Sequence, residues 1–167
     1  RRLFFMRIDD RFIHGQVGVT WISYVGAREI VLINDRLAAD ELGSMMQKMS
    51  APTSKVTIKA VDDGISYLKK KNEKQLESAF VIVSCPQDAL RLLDGGIQVS
   101  HINIGHTAHR DDTEEVHPYL FLGREELAAF QELERRGIDL DFRLIPSHKK
   151  PDLKFSNIKL KGGEGVC

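Results

Sequence analysis

The sequence predicts a single-domain α/β protein with an open, mostly parallel β-sheet and helices on both faces. Three observations predict it. Continuous apolar runs recur, as in Glu29-Ile30-Val31-Leu32-Ile33-Asn34 and in Ala79 to Ser84, and such runs suit strands covered on both sides. Stretches with apolar residues at helical spacing lie between them, so strand and helix alternate. A chain of 167 residues with no composition break and no internal repeat fits one domain with one sizeable core.

The first strand is expected at Leu3 to Met6, just ahead of a polar loop. A helix follows, with Val17, Trp21 and Tyr24 about one helical face apart. Glu29 to Asn34 is the second strand. Leu42, Met45, Met46 and Met49 then recur at helical spacing, with Pro52 just beyond. That methionine stripe is expected to be core rather than a contact surface. Val56 to Val61 alternates with polar residues and reads as the third strand. Asp62 or Asp63 is expected to cap the next helix, with Ile65 and Leu68 facing inward. Lys69-Lys70-Lys71 reads as a solvated helix end, where cations suit the dipole. Ala79 to Ser84 is the fourth strand, and Pro86 opens the next helix at a position proline tolerates. Ala89, Leu90 and Leu93 form its buried side, and Gly95-Gly96 stops it. A short strand, His101 to Ile104, brings Gly105-His106-Thr107 to the sheet end that carries the first loop. Tyr119 to Leu122 is another strand. Arg124 to Arg136 is the clearest helix, opened by Glu125 and Glu126 and closed by Arg135-Arg136-Gly137. Asp139 to Ile145 is the last strand. The domain is expected over residues 1–151, with 152–167 a flexible or foreign tail.

Composition excludes several function classes. Lys and Arg total 24, as do Asp and Glu, so no basic face for nucleic acid is implied. No apolar run is long enough to span a bilayer, and no secretory signal is recognisable. Cys85 and Cys167 lack metal-ligand spacing. Cys85 reads as a small buried hydrophobe, and a reducing cytoplasm is the simplest compartment. Neither a Walker A loop nor a dinucleotide glycine fingerprint is present. His106, His109 and His117, with Asp111-Asp112, do not complete a structural zinc set. No metal and no cofactor are expected, and the loop of these histidines reads as a second wall of the site described next.

The chemistry concentrates in Arg7-Ile8-Asp9-Asp10-Arg11-Phe12-Ile13-His14-Gly15-Gln16-Val17. A loop between a parallel strand and a helix is where α/β proteins place sites. Gly15 allows a tight turn and begins a helix whose free N–H groups form an anion site. Imidazole is largely neutral near pH 7, so His14 can attack a phosphoryl group. Arg11 is placed to bind phosphoryl oxygens as a fork, and the backbone from Gly15 onward adds uncharged donors. Asp9 or Asp10 could orient the other ring nitrogen or the Arg11 guanidinium, with at most one carboxylate turned inward. Arg7 and Gln16 are candidates for the same anion site, set against ordinary roles at a strand edge and in a first helical turn. Phe12 reads either as an apolar partner contact or as core.

Arg7-x-Asp9-x-Arg11-x-Ile13-His14-Gly15-Gln16-Val17 resembles the signature of the enzyme IIB subunit of the mannose/fructose/sorbose family. That family belongs to the bacterial phosphoenolpyruvate-dependent sugar phosphotransferase system. Gly18-Val19-Thr20-Trp21 is similar to members handling N-acetylgalactosamine or galactosamine. Asn34-Asp35, Ala38-Ala39-Asp40, Gly95-Gly96, Asn103-Ile104-Gly105 and Arg136-Gly137-Ile138-Asp139 fall where the family has similar residues, over roughly Leu3 to Pro151. The chain departs at Gly105-His106-Thr107, where the family usually has Gly-Gly-Met or Gly-Asn-Met. The resemblance implies that His14 accepts a phosphoryl group from a phosphohistidine of enzyme IIA. It implies transfer onward to a sugar entering through membrane IIC and IID subunits, at the inner face of the plasma membrane. It leaves the oligomeric state open, a homodimer included. Two other readings are a non-catalytic phosphometabolite sensor and a histidine-dependent phosphatase.

Overall fold

The computed structural model describes residues 4–161, without the side chains of residues 16 and 17. The elements in chain order are β1 (Phe5–Ile8), α1 (Gly15–Val25), β2 (Glu29–Ile33), α2 (Asp35–Ala38), α3 (Glu41–Ser50), β3 (Lys55–Lys59), α4 (Val61–Lys69) and α5 (Glu73–Glu77). Then come β4 (Ala79–Val83), α6 (Pro86–Asp94), β5 (His101–Ile104), β6 (Glu114–His117), β7 (Leu120–Leu122), α7 (Arg124–Arg135), β8 (Asp139–Asp141) and a 3-10 turn, Phe155–Asn157. Six strands form one sheet in the order β3-β2-β4-β1-β5-β8, with every pairing parallel. This is the single-domain open α/β sheet expected from the apolar runs.

Alternation along each strand sends side chains to two cores. Met6, Ile8, Val31, Ile33, Val81 and Val83 face the first, with Val61 and Leu68 from α4, Ala89 and Leu92 from α6, and Phe130 and Leu133 from α7. Phe5, Ile30, Leu32, Phe80 and Ile82 face the second, which Trp21 of α1 and Ile13 of the preceding loop complete. Trp21 is fully buried, whereas Tyr24, expected on the same face, is exposed and meets it edge-on. β1 lies between β4 and β5, so its carboxyl end opens at the middle of the sheet.

Several expectations are corrected. β1 runs from Phe5 to Ile8, in register with Phe80–Val83 of β4, and Leu3 lies outside the described residues. Tyr119 to Leu122 does not join the main sheet: β7 pairs antiparallel with β6 in a separate hairpin. β8 stops at Asp141. Neither Asp62 nor Asp63 caps α4; the cap position is Ala60, and the Val61 N–H donates to Asp35 Oδ1 at 2.9 Å. The methionine stripe is not core. Leu42, Met45, Met46 and Met49 are 59–70% exposed, and α3 carries no buried residue. Helical spacing reveals that an apolar face exists but not what covers it. Cys85 is half-buried at the N-cap of α6, and burial pushes its thiol pKa up.

Residues 152–161 are not a free tail. Phe155 is fully buried and stacks on Phe130 with centroids 4.4 Å apart. The N–H groups of Phe155 and Ser156 donate to the Glu134 carboxylate at 2.8 and 3.0 Å. Residues 162–167, Cys167 among them, lie outside the described residues.

At the opposite end of the sheet, Glu29 opens β2 and is 6% exposed. It accepts from Thr57 Oγ1 at 2.7 Å and from the Tyr67 hydroxyl, and pairs with Lys71. Lys71 is therefore held by Glu29, instead of ending the helix in solvent. Burial pushes the Glu29 carboxyl up, but the hydrogen bonds from Lys71, Thr57 and Tyr67 outweigh it and bring the pKa down to about 2. A carboxyl lowered on folding stabilises the protein above its unfolded value and loses that contribution as pH falls through the folded one. The loss should therefore run from about pH 4.5 to about pH 2 and amount to about 3 kcal/mol. Urea unfolding across this range should show Glu29→Gln less stable than the parent at neutral pH and less acid-sensitive. Parallel acid profiles would remove Glu29 as the cause.

Candidate functional site

The site begins beneath the surface. Residues two apart on a strand share a face, so Arg7 shares the α1 side of β1 with Phe5, and Asp9 follows just past the strand. Arg7 is 1% exposed. Its Nη1 donates to Asn103 Oδ1 and its Nη2 to Asp9 Oδ2 at 3.0 Å, and its guanidinium lies 5.7 Å from the Trp21 ring centroid. Burial lowers the Arg7 pKa from its ordinary value, and the Asp9 charge opposes that shift. A buried ion needs such partners. The Arg7 side chain thus sits under the loop, where it fixes Asp9 and cannot act as an exposed anion ligand. Asn103 also donates to the carbonyls of Asp141 and Arg143 at 3.2 and 3.1 Å.

Asp9 uses its other oxygen above. Oδ1 accepts from the Arg11 N–H at 2.9 Å and lies 3.5 Å from Arg11 Nε. The Phe12 N–H closes the turn on the Asp9 carbonyl at 3.1 Å. Arg11 is about one-third exposed, and its Nε is buried without a hydrogen-bond partner among the described residues. A donor in that state is unusual, and it lies beside the histidine loop. Asp9, rather than Asp10, orients this guanidinium.

Phe12 has φ 59°, a left-handed backbone that few side chains adopt. Neighbouring contacts hold it there. Ile13 is buried in the α1-side core, and Phe12 packs partly against that core. Gln47 of α3 grips the loop from the other side: its Oε1 accepts from the Ile13 N–H at 2.9 Å, and its Nε2 donates to the Arg11 carbonyl at 3.3 Å.

His14 is exposed at the N-cap of α1, with an extended backbone and no side-chain cap bond. Gly15 follows with φ 54°. A Cβ there would meet nothing within 4 Å, so the backbone, not space, requires glycine. The first helical bond runs from Gly18 N–H to the His14 carbonyl at 3.1 Å. The N–H groups of residues 15–17 precede it and have no acceptor within the helix. The Gln16 side chain lies outside the described residues.

A second loop closes on the first. The Asp10 N–H donates to the His106 carbonyl at 3.0 Å, and Asp10 Oδ1 lies 2.5 Å from His106 Nδ1. His106 and His109 both meet the Phe121 ring edge-on, and His117 lies against Phe142. Among the sequence candidates, Arg11, His14 and Gly15 form the exposed part of the site, Asp10 is tied to His106, and Arg7 lies below. Gln47 carried no signal in the sequence, and Asn103 only that of the family-like stretch Asn103-Ile104-Gly105, because their roles depend on which loops they meet.

Residues 3–162 match the family model described as PTS system sorbose subfamily IIB component. The chain belongs to this family. It is 31% identical to the sorbose-specific EIIB component of Klebsiella pneumoniae over 142 residues, 84% of this chain and 86% of that one. It is 31% identical to the mannose-specific EIIAB component of Escherichia coli (strain K12) over 91% of this chain, which spans 46% of that longer relative. The crystal structure of the N-acetylgalactosamine-specific IIB component 1 from Escherichia coli superposes with a TM-score of 0.84 at 26% identity, covering 92% of this chain and all of that one. As a IIB component, the chain has a general role in phosphotransferase-linked sugar transport.

Gly105 of this IIB fold is required by space. A Cβ on Gly105 would lie 2.6 Å from Arg7 Cζ and 2.5 Å from Asp9 Oδ2. Gly105→Ala should therefore displace the buried pair and cost about 1–3 kcal/mol, the scale of overpacking. Urea unfolding checks this, and a loss below about 0.5 kcal/mol, the size of an ordinary surface substitution, would mean that the pair yields easily.

Proposed function

We propose that this IIB component is a cytoplasmic phosphocarrier acting through His14. A phosphorylated IIA protein donates the phosphoryl group. The N–P bond to the donor breaks as a bond to one imidazole nitrogen of His14 forms. In the second step a hydroxyl oxygen of a hexose or N-acetylhexosamine, entering through membrane IIC and IID subunits, bonds to the phosphorus as the N–P bond to His14 breaks, and the hydroxyl proton passes to water. The observation that carries this reading is the exposed His14, free of a cap bond, at the N-cap of α1, whose first-turn N–H groups have no acceptor within the helix. Phosphoryl transfer needs in-line positioning and charge stabilisation more than covalent help. Arg11 and the first-turn amides are suited to the equatorial oxygens, and exposure suits a group that must meet two partners in turn. The EIIAB name of the mannose-specific relative supports a IIA partner.

The test is to incubate the protein with phosphoenolpyruvate, the general phosphotransfer proteins and the cognate IIA. Intact mass and peptide mapping should find one acid-labile phosphate, on His14. Binding of a phosphorylated metabolite without covalent phosphate would indicate a sensor module. Steady turnover of small phosphate esters would indicate a phosphatase.

A further inference from the structure

We propose that His106 is a positioning residue for phosphoryl transfer at His14, holding the Arg11–His14 loop in place through Asp10. This rests on the phosphocarrier reading. β1 and β5 are neighbours in the sheet, so the loops that leave them emerge side by side. Among the described residues two hydrogen bonds join the loops, and both involve the same pair of residues. Asp10 donates its N–H to the His106 carbonyl at 3.0 Å and presents Oδ1 at 2.5 Å to His106 Nδ1. An ionised carboxylate only accepts, so Nδ1 carries the proton that it receives.

The histidine is itself braced. Its ring meets Phe121 edge-on with centroids 6.5 Å apart. The next residue, Thr107, donates from Oγ1 to the Phe121 carbonyl and accepts from the Phe121 N–H, both at 2.7 Å. The Thr107 N–H donates to the Tyr119 carbonyl at 3.3 Å. The β6–β7 hairpin thus stands behind His106 as a rigid support. On the other side, Asp10 lies between Asp9, which orients Arg11, and Phe12, whose left-handed backbone needs its surroundings to hold it. Asp9 anchors the loop to the strand and Gln47 anchors residues 11 and 13. His106 anchors the remaining edge. It also keeps the Asp10 carboxylate engaged, so that this negative charge does not swing toward the transferred phosphoryl group.

Three variants test the role, read by transfer from phosphorylated IIA with circular dichroism as the folding control. The amide of asparagine reaches the place of Nδ1, and that of glutamine the place of Nε2. His106→Ala and His106→Gln should lower the rate at saturating IIA by about tenfold or more, the scale of a small misplacement of reacting groups. The apparent KM for IIA should stay within about twofold in both, since no partner contact is removed. His106→Asn should restore the rate to within about threefold of the parent, because the donor to Asp10 is kept. In the His106→Ala/Asp10→Ala pair the losses should not multiply, since both act through one contact. Should the alanine variant fail to fold, the contrast between asparagine and glutamine decides. Parental rates in His106→Gln, or equal losses in asparagine and glutamine, overturn the proposal. A rise in KM at an unchanged maximal rate also overturns it and makes His106 a docking contact. If the parent itself takes no phosphate, the phosphocarrier reading fails and this role fails with it; a labelled parent with unaffected variants overturns the positioning role alone.

Discussion

His14→Ala should take no phosphate from phosphorylated IIA and should fold as the parent does. The imidazole is exposed and makes no cap bond, so its removal deletes neither buried contact nor helix cap. Surface changes of this kind stay within about 0.5 kcal/mol. Urea unfolding should therefore be nearly unchanged while labelling disappears, which separates a chemical loss from a structural one. Glutamine at position 14 should behave the same way, since it keeps bulk and polarity without a nucleophilic ring nitrogen. Unchanged labelling in His14→Ala would place the acceptor elsewhere, and His106, on the adjoining loop, would be the first residue to map.

Arg11→Lys should slow transfer by roughly 30- to 1,000-fold, corresponding to about 2–4 kcal/mol, the scale of a lost donor at a charged transition state. The Asp9 carboxylate holds both the Arg11 N–H and the neighbourhood of its Nε. That arrangement aims a planar fork, and lysine offers only a point charge on a flexible stem. The backbone contact from residue 11 to Asp9 survives the substitution, so the loop should keep its shape. Stopped-flow transfer from phosphorylated IIA measures the effect. A rate within about twofold of the parent, under 0.5 kcal/mol, would assign Arg11 to loop structure alone.

The two substitutions probe different levels of the site. His14 and Gly15 were legible because a histidine, a glycine and an amphipathic stretch directly after an apolar run mark a strand–loop–helix junction. Arg11 was legible by its place on that loop. The division of labour among Arg7, Asp9 and Asp10 was not. Strand alternation groups Arg7 with Asp9, but only the register with β5 sets Asn103 opposite Arg7. A buried arginine and an exposed one look alike in a sequence, because both are written as the same charge.

The amino-acid sequence by itself determined the layered α/β class, the strands β2 and β4 with their continuous apolar runs, the helix α7 and the position of the histidine loop. These follow from local pattern: continuous apolar runs, helical spacing, and residues that stop or cap a segment. Tertiary structure alone decided which side chains meet across the sheet end. Arg7 and Asn103, and likewise Asp10 and His106, are 96 residues apart in the chain and touch only because β1 and β5 pair. It also decided that the methionine face of α3 is exposed and that residues 152–161 are packed. An apolar pattern states that a surface can be buried, and burial itself is settled by which elements arrive to cover it.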